Sequence, residues 1–160
     1  MKIDVLKNIS DGLCDSEYEL VDFDKEDDNY ATVDGLLVDN NNCMFIEFKD
    51  LHYVSLLDWL KNKCLCKETG ISYVKPIKCH KENILLKGYE SFLLYRSEIK
   101  NKKVWFIFVY SHYESRKNDK EFKAYFKRNI LKRLEIIYDE VRIIKCDKFL
   151  NFIEKIKGEK

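Results

Sequence analysis

Residues 31–50 read ATVDGLLVDNNNCMFIEFKD, and this stretch decides the fold. An apolar run precedes three consecutive asparagines and another follows them, a pattern typical of two strands joined by a tight β-hairpin connection. Side chains alternate between the two faces of a strand, so Glu47 and Lys49 project from the same side. Pairing of the two strands then lets Asp34 lie beside them. The hairpin therefore predicts two carboxylates and one ammonium group at one place on a sheet.

The sequence around this hairpin predicts a mixed α/β fold. The predicted elements, in chain order, are a helix in 1–9, strands in 17–23, 31–38 and 43–49, helices in 51–62 and 81–99, a strand in 104–110, a helix in 118–140, a strand in 141–146 and a helix in 148–157. Three successive strands form an antiparallel meander, whereas a strand–helix–strand crossover late in the chain requires a parallel pair. We expect an α/β fold with a mixed β-sheet of about five strands flanked by helices, in one domain spanning residues 1–160.

The composition is that of a folded protein, with 46% hydrophobic residues, 36% charged residues and one proline. No apolar run approaches the roughly 18 residues needed to cross a bilayer, and the N-terminus lacks the apolar segment of a secretory signal. We therefore expect a cytoplasmic protein without a membrane partner. Its six cysteines lack the spacing of a disulfide framework or a zinc site, so we expect them to be reduced. Phosphate-loop, serine-hydrolase and zinc-protease motifs are absent from the sequence.

Charge is divided unevenly along the chain. Residues 1–50 contain four lysines and fourteen acidic residues, a net charge of −10, so residues 51–160 carry +11. Carboxylates collect cations, and basic side chains neutralise phosphates, so this division suits a metal site facing a polyanion. The candidates for nucleic-acid contact are His52, Arg96, Lys103, Arg116 and Lys127. The alternative interpretation is that both charge groups are ordinary solvated surface.

The residues of the hairpin favour hydrolysis of a phosphodiester. Two neighbouring carboxylates, Asp34 and Glu47, require positive compensation, and their hard oxygen atoms are the ligands that Mg²⁺ or Mn²⁺ prefers. Such an ion lowers the pKa of a bound water and polarises a phosphate oxygen. Lys49 would orient that water or stabilise the transition state. The alternative is that Asp34 is a turn residue and that Glu47 and Lys49 form an exposed ion pair.

The motif resembles that of the PD-(D/E)xK nuclease superfamily, the restriction-endonuclease-like or Holliday-junction-resolvase-like fold. Asp34, followed thirteen residues later by Glu47-Phe48-Lys49, is similar to the family's aspartate and E-x-K. The resemblance implies an α-β-β-β-α-β core, a catalytic Lys87 in the helix after the third strand, and a third acidic metal ligand. The family often takes that ligand from its first helix, but MKIDVLKNI contains no glutamate. Glu19 was therefore matched to this role, with Asp11, Asp15 and Glu17 as alternatives.

We therefore predict a Mg²⁺- or Mn²⁺-dependent endonuclease or exonuclease. The predicted catalytic residues are Asp34, Glu47, Lys49 and Lys87, and the predicted metal ligands are Asp34, Glu47 and Glu19. The expected partner is nucleic acid, DNA in preference to RNA, and small nucleases of this kind often act as homodimers or beside a protein that provides specificity. The alternative function is that of a catalytically inactive nuclease-like binding module, such as an antitoxin, immunity or adaptor protein.

Overall fold

A computed structural model describes residues 19–21, 33–50, 80–111 and 116–158 of the chain. In chain order the elements are β1 (Glu19–Val21), β2 (Gly35–Val38), β3 (Asn42–Asp50), α1 (His80–Leu94), β4 (Lys103–Ser111), α2 (Arg116–Phe126), a π-helical turn (Lys127–Leu131), α3 (Lys132–Leu134), β5 (Glu140–Lys145) and α4 (Cys146–Gly158). The predicted helices in 1–9 and 51–62 lie outside the described residues, as do His52, Asp11, Asp15 and Glu17.

The strands form one sheet in the order β1-β2-β3-β4-β5. The first three strands pair antiparallel, whereas β3, β4 and β5 run parallel. β1 contributes three residues at one edge, so the body of the sheet is the four strands β2 to β5 rather than the five strands expected. The prediction of an α/β fold with a mixed sheet flanked by helices is confirmed in this form.

Helices cover both faces of the sheet. On one face, Phe45, Phe106 and Phe108 pack in a core with the helical segments between 80 and 134. This core is aromatic, and the rings of Phe108 and Phe126 have centroids 4.5 Å apart. The opposite core is formed by alternate residues of the same strands packed against α4. The strict alternation of β3 thus sends Glu47 and Lys49 towards the face that carries α1 and α2.

Strand β2 is shorter than predicted because Asp34 interrupts its pairing. The predicted strand began at Ala31, but the ladder between β2 and β3 starts with Gly35 opposite Ile46. The amide of Phe48, which a longer β2 would bond through its backbone, donates instead to Asp34 Oδ2 at 2.7 Å. The side chain therefore replaces a backbone acceptor at the end of the ladder, which fixes the carboxylate on the sheet.

The long helix predicted over 118–140 is not one regular α-helix. Its regular part ends at Phe126, and a π-helical turn over Lys127–Leu131 precedes the single turn of α3. A π turn holds extra residues per turn and rotates the chain after it. Ile130, Leu131 and Leu134 are all buried after this rotation. Apolar spacing alone predicted the helix but not the break in its hydrogen bonding.

Among the described residues, no helix is long and apolar enough to cross a membrane.

Candidate functional site

The structure brings Asp34, Glu47, Lys49 and Lys87 together, and we call these four residues the charged quartet. Asp34 lies just before β2 and is 1% exposed, and Glu47 lies in β3 and is fully buried. The Lys49 ammonium group forms an ion pair with Glu47 Oε1. That oxygen accepts no hydrogen bond of regular geometry from the described residues. The pair is therefore not the exposed cross-strand pair of the alternative interpretation, since the carboxylate is inside the protein.

Lys87 bridges the two carboxylates from the helix that covers them. Its Nζ lies 2.9 Å from Glu47 Oε2 and 3.6 Å from Asp34 Oδ1. The Lys87 side chain is 15% exposed, so its ammonium group is largely withdrawn from water. A lysine between two acids compensates the repulsion that they would otherwise exert on each other. The position matched to the family from sequence is thus in direct contact with the predicted carboxylates.

A second helix residue fixes the backbone that carries Asp34. Ser91, one turn after Lys87 on α1, is fully buried and its Oγ accepts a hydrogen bond of 2.9 Å from the Val33 amide. A buried amide without a partner would be costly. Ser91 therefore ties the segment before β2 to α1 and helps to hold Asp34 against β3.

The electrostatics of the quartet are dominated by burial. Burial raises the pKa of Glu47, and the neighbouring charge of Asp34 raises it further, against the opposing influence of Lys49 and Lys87. Desolvation disfavours the charged form of a carboxyl group, and a like charge nearby does the same. A carboxyl group with a raised pKa at such a place is typical of a functional site, although structural ion pairs also perturb pKa values.

The donor set of the quartet suits a hard divalent cation in part. Asp34 and Glu47 supply carboxylate oxygens, and Mg²⁺ is often held by one or two carboxylates together with waters and substrate phosphates. Within the described ranges, no group of three or more acidic, histidine or cysteine residues could hold a metal. An ion held by Asp34 and Glu47 would therefore take its remaining ligands from groups other than these side chains, such as water or substrate.

The register of the sheet does not bring Glu19 to this place. Glu19 pairs with Val38, which is four residues along the chain from Asp34. Four residues of a strand span about 13 Å. The register therefore does not favour Glu19 as a metal ligand, because Glu19 is the residue of β1 that lies beside the end of β2 farther from Asp34.

A second group of polar residues, missed from the sequence, lies beside the quartet at the carboxyl ends of the parallel strands. Lys49 pairs in register with Tyr110, and Tyr110 pairs with Lys145. The Tyr110 hydroxyl contacts Asp119 Oδ1 at the start of α2. Asp119 Oδ1 also lies 3.8 Å from Lys145 Nζ, and Asp119 Oδ2 lies 3.1 Å from Lys123 Nζ. We call Tyr110, Asp119, Lys123 and Lys145 the edge cluster.

A signal for the edge cluster was present in the sequence. Tyr110 and Lys145 each close an apolar run that was predicted as a strand. Ligands of open parallel sheets bind beside the carboxyl ends of the strands. Tyr110 and Lys145 end two neighbouring parallel strands, so they lie at the same edge of the sheet. Their contacts with Asp119 depend on the packing of α2 and could not be predicted from the sequence.

The predicted nucleic-acid residues are scattered. Lys103 is the first residue of β4, seven residues or about 23 Å from Tyr110 along the strand. It pairs with Glu140 and lies over the Trp105 ring. Arg96 is exposed just beyond α1, in the segment that leads to Lys103. Lys103 therefore lies at the amino end of the parallel strands, away from the quartet, and contact of these two residues with nucleic acid stays a prediction.

The two remaining predicted contacts, Arg116 and Lys127, lie in the helical segment that follows β4. Lys127 is exposed in the π-helical turn, eight residues and about 12 Å along the helix from Asp119. Arg116 is the first residue of α2, so its backbone lies near the end of the sheet that carries the quartet. Of the four predicted contact residues that the structure describes, Arg116 is thus the one whose backbone lies on that side.

No protein-family model matches the chain, and neither the curated proteins nor the solved structures contain a match to it.

Proposed function

We propose that the protein is a divalent-metal-dependent nuclease that hydrolyses phosphodiester bonds in DNA or RNA. The observation that carries this proposal is the convergence of two buried carboxylates, Asp34 and Glu47, with the ammonium groups of Lys49 and Lys87. Burying four charges is expensive, and hydrophobic residues of similar volume often stabilise a fold as well or better. A catalytic role would explain why the protein keeps these four charged residues despite the free-energy cost of burying them.

The order of the elements adds support at the level of the fold. An antiparallel β1-β2-β3 meander is followed by α1 and by β4 parallel to β3. Among the described residues, this order is compatible with the β-β-β-α-β part of the core that the resemblance to PD-(D/E)xK nucleases implies. Fold alone does not define an activity, so the proposal depends on the quartet.

Each residue of the quartet has a task in the proposed reaction. Asp34 and Glu47 would hold a Mg²⁺ or Mn²⁺ ion, which supplies Lewis-acid polarisation of the phosphate and a lowered pKa for the attacking water. Lys49, whose side chain is 20% exposed, would orient the attacking water. Lys87 would neutralise charge that builds on the phosphate oxygens in the transition state.

The hydrogen bonds around Asp34 prepare it for this task. The Phe48 amide donates to Oδ2, and Lys87 Nζ lies 3.6 Å from Oδ1. A carboxylate side chain that a strand and a hydrogen bond already hold in place loses little conformational entropy when it binds an ion. The carboxylates are therefore positioned before any ligand arrives.

The test is cleavage of labelled DNA and RNA oligonucleotides in Mg²⁺, Mn²⁺ or EDTA. We expect cutting that requires a divalent ion, and a loss of about 10²-fold or more in Glu47→Gln and Lys49→Met. Glu140→Gln is the matched control, because Glu140 is a partly exposed carboxylate on β5 that pairs with Lys103 and Arg142. Full activity in Glu47→Gln and Lys49→Met would overturn the proposal.

A second candidate is an inactive binding module with the same fold. It is favoured by one observation: two lysines already balance the two carboxylates, so the quartet is neutral without an ion. Such a module would bind a nucleic acid or a protein without cutting. Retained binding of oligonucleotides with no cleavage in any divalent ion would favour this candidate over the nuclease.

A further inference from the structure

The edge cluster lies on the same face of the sheet as the quartet and continues it across the parallel strands. Lys49, Tyr110 and Lys145 occupy one register row on β3, β4 and β5. Neighbouring strands are about 4.8 Å apart, so the backbones at Lys49 and Lys145 are separated by about 10 Å. The row therefore extends from the proposed catalytic site to the edge strand of the sheet.

Asp119 organises the basic residues of this cluster. It lies in the first turn of α2, where the helix dipole favours a negative charge. Although burial opposes it, the hydrogen bonds from Tyr110 and Lys123 and the charges of Lys123 and Lys145 lower the pKa of Asp119. One carboxylate thus contacts two ammonium groups, and a second carboxylate, Asp147, is near enough to act on Tyr110 as well.

Tyr110 has a polar role that packing does not require. Its neighbours on the same face of β4, Phe106 and Phe108, are phenylalanines buried as completely as Tyr110. The Tyr110 hydroxyl is the difference, and it contacts Asp119. Burial and the neighbouring Asp119 raise the pKa of Tyr110, so the phenol stays protonated and donates to the carboxylate. The hydroxyl thereby fixes the acid that holds the lysines.

Lys145 is the member of the cluster best placed to bind an anion. Its Nζ lies 3.8 Å from Asp119 Oδ1 and its side chain is 26% exposed, so the ion pair is loose and reaches the surface. Lysine is a common point-charge ligand for phosphate. Lys145 can turn to a phosphate without breaking a short hydrogen bond, while Asp119 keeps it near the carboxyl ends of the strands.

We propose that Lys145, positioned by Asp119 and Tyr110, binds a backbone phosphate of a polynucleotide, and that a phosphodiester about three nucleotides away on the same strand lies at the quartet. This inference rests on the proposed function for the place of the cleaved bond. A single phosphate does not reach both places, whereas a strand with one charge per about 3.4 Å of helix axis covers about 10 Å in three nucleotide steps. The polynucleotide backbone then crosses β3, β4 and β5 at their carboxyl ends.

The test is the salt dependence of binding, measured by fluorescence anisotropy of a labelled DNA duplex in EDTA, so that no cutting occurs. Each phosphate neutralised contributes about −0.9 to the slope of log K against log salt. We expect Lys145→Ala to weaken binding and to reduce the slope by about 0.9, and Lys145→Arg to restore it. Lys155→Ala, an exposed lysine of α4 on the opposite face of the sheet, is the matched control and should leave the slope unchanged.

The positioning role of Tyr110 is tested by a double-mutant cycle. Tyr110→Phe keeps the ring and removes the hydroxyl, so it should weaken duplex binding in the wild-type background and have no further effect in Lys145→Ala. Additive losses would overturn the positioning role. Melting temperatures of the variants report folding separately from binding.

The outcomes separate this inference from the proposed function. Metal-dependent cutting by the wild type, together with an unchanged slope in Lys145→Ala, would overturn the inference alone. A reduced slope in a protein that cuts nothing would overturn the nuclease proposal and support Lys145 as a phosphate ligand. Failure of the wild type to bind the duplex would overturn the inference.

Discussion

Replacing Lys87 by methionine separates a metal site from a permanent salt bridge. Lys87→Met keeps an apolar side chain of similar length at this position of α1 and removes the charge that lies 2.9 Å from Glu47 and 3.6 Å from Asp34. Two carboxylates then face each other with Lys49 as the remaining cation of the quartet. We expect the variant to be less stable than the wild type in EDTA and to recover in Mn²⁺.

The magnitude follows from the burial of the three side chains. Removing one partner of a buried ion pair costs about 3–5 kcal/mol. Lys87 is 15% exposed and Lys49 remains beside Glu47, so we expect the lower end, about 3 kcal/mol. In a domain of this size the loss corresponds to a fall in Tm of about 6–12 °C. A bound ion returns about 2.7 kcal/mol when its concentration is 100 times Kd.

Urea unfolding, followed by circular dichroism at pH 8 in EDTA and in Mn²⁺, measures both effects. The control is Lys103→Met, which removes a half-exposed lysine from a pair with Glu140 and should cost at most about 1 kcal/mol. The reasoning is refuted if Lys87→Met is as stable as the wild type in EDTA. It is also refuted if Mn²⁺ stabilises the two proteins equally, since an ion that replaces the lysine charge must help the variant more.

Two further predictions concern the groups that hold the quartet. Ser91→Ala removes the acceptor of the buried Val33 amide and should cost about 1–3 kcal/mol in urea unfolding, whereas Ser97→Ala, at an exposed serine, should cost almost nothing; equal stability of the two variants would contradict the role given to Ser91. Because the pKa of Glu47 is raised above the ordinary value of 4.5, the folded protein binds more protons than the unfolded chain above that pH, so ionising Glu47 lowers stability as pH rises. The stability of Glu47→Gln relative to the wild type, measured in EDTA, should therefore increase from pH 4.5 upwards. A constant or falling difference would show that burial does not raise the pKa of Glu47.

The hairpin could be predicted from sequence because its rules are local. Alternation along β3 fixed which residues share a face with Glu47, and the asparagines fixed the reversal of the chain. The observed register, with Gly35 opposite Ile46, brings Asp34 to Glu47 as expected. Lys87 was matched through a resemblance, and no local rule would have placed it over the carboxylates.

What sequence did not provide depends on the packing between elements. The break after Phe126 is a change of helix type within an uninterrupted apolar pattern. Arg96 and Lys103 are basic, but Lys103 begins β4 and Arg96 precedes it in the chain. Lys103 therefore lies at the end of the sheet away from the quartet. Charge in a sequence shows that basic residues exist, whereas the topology decides which of them share an edge with the site.

The balance of charge in the quartet has a consequence for how an ion and a substrate would bind. Two carboxylates and two ammonium groups sum to zero, so a divalent ion entering alone leaves an excess of positive charge in a largely buried place. A phosphodiester brings a negative charge and its own oxygen ligands, and Lys49 or Lys87 can transfer its contact from a carboxylate to the phosphate. In the proposed nuclease, ion and phosphate would therefore each favour the binding of the other. The lysines that balance the carboxylates without an ion would then be the same groups that receive the substrate when the ion is present.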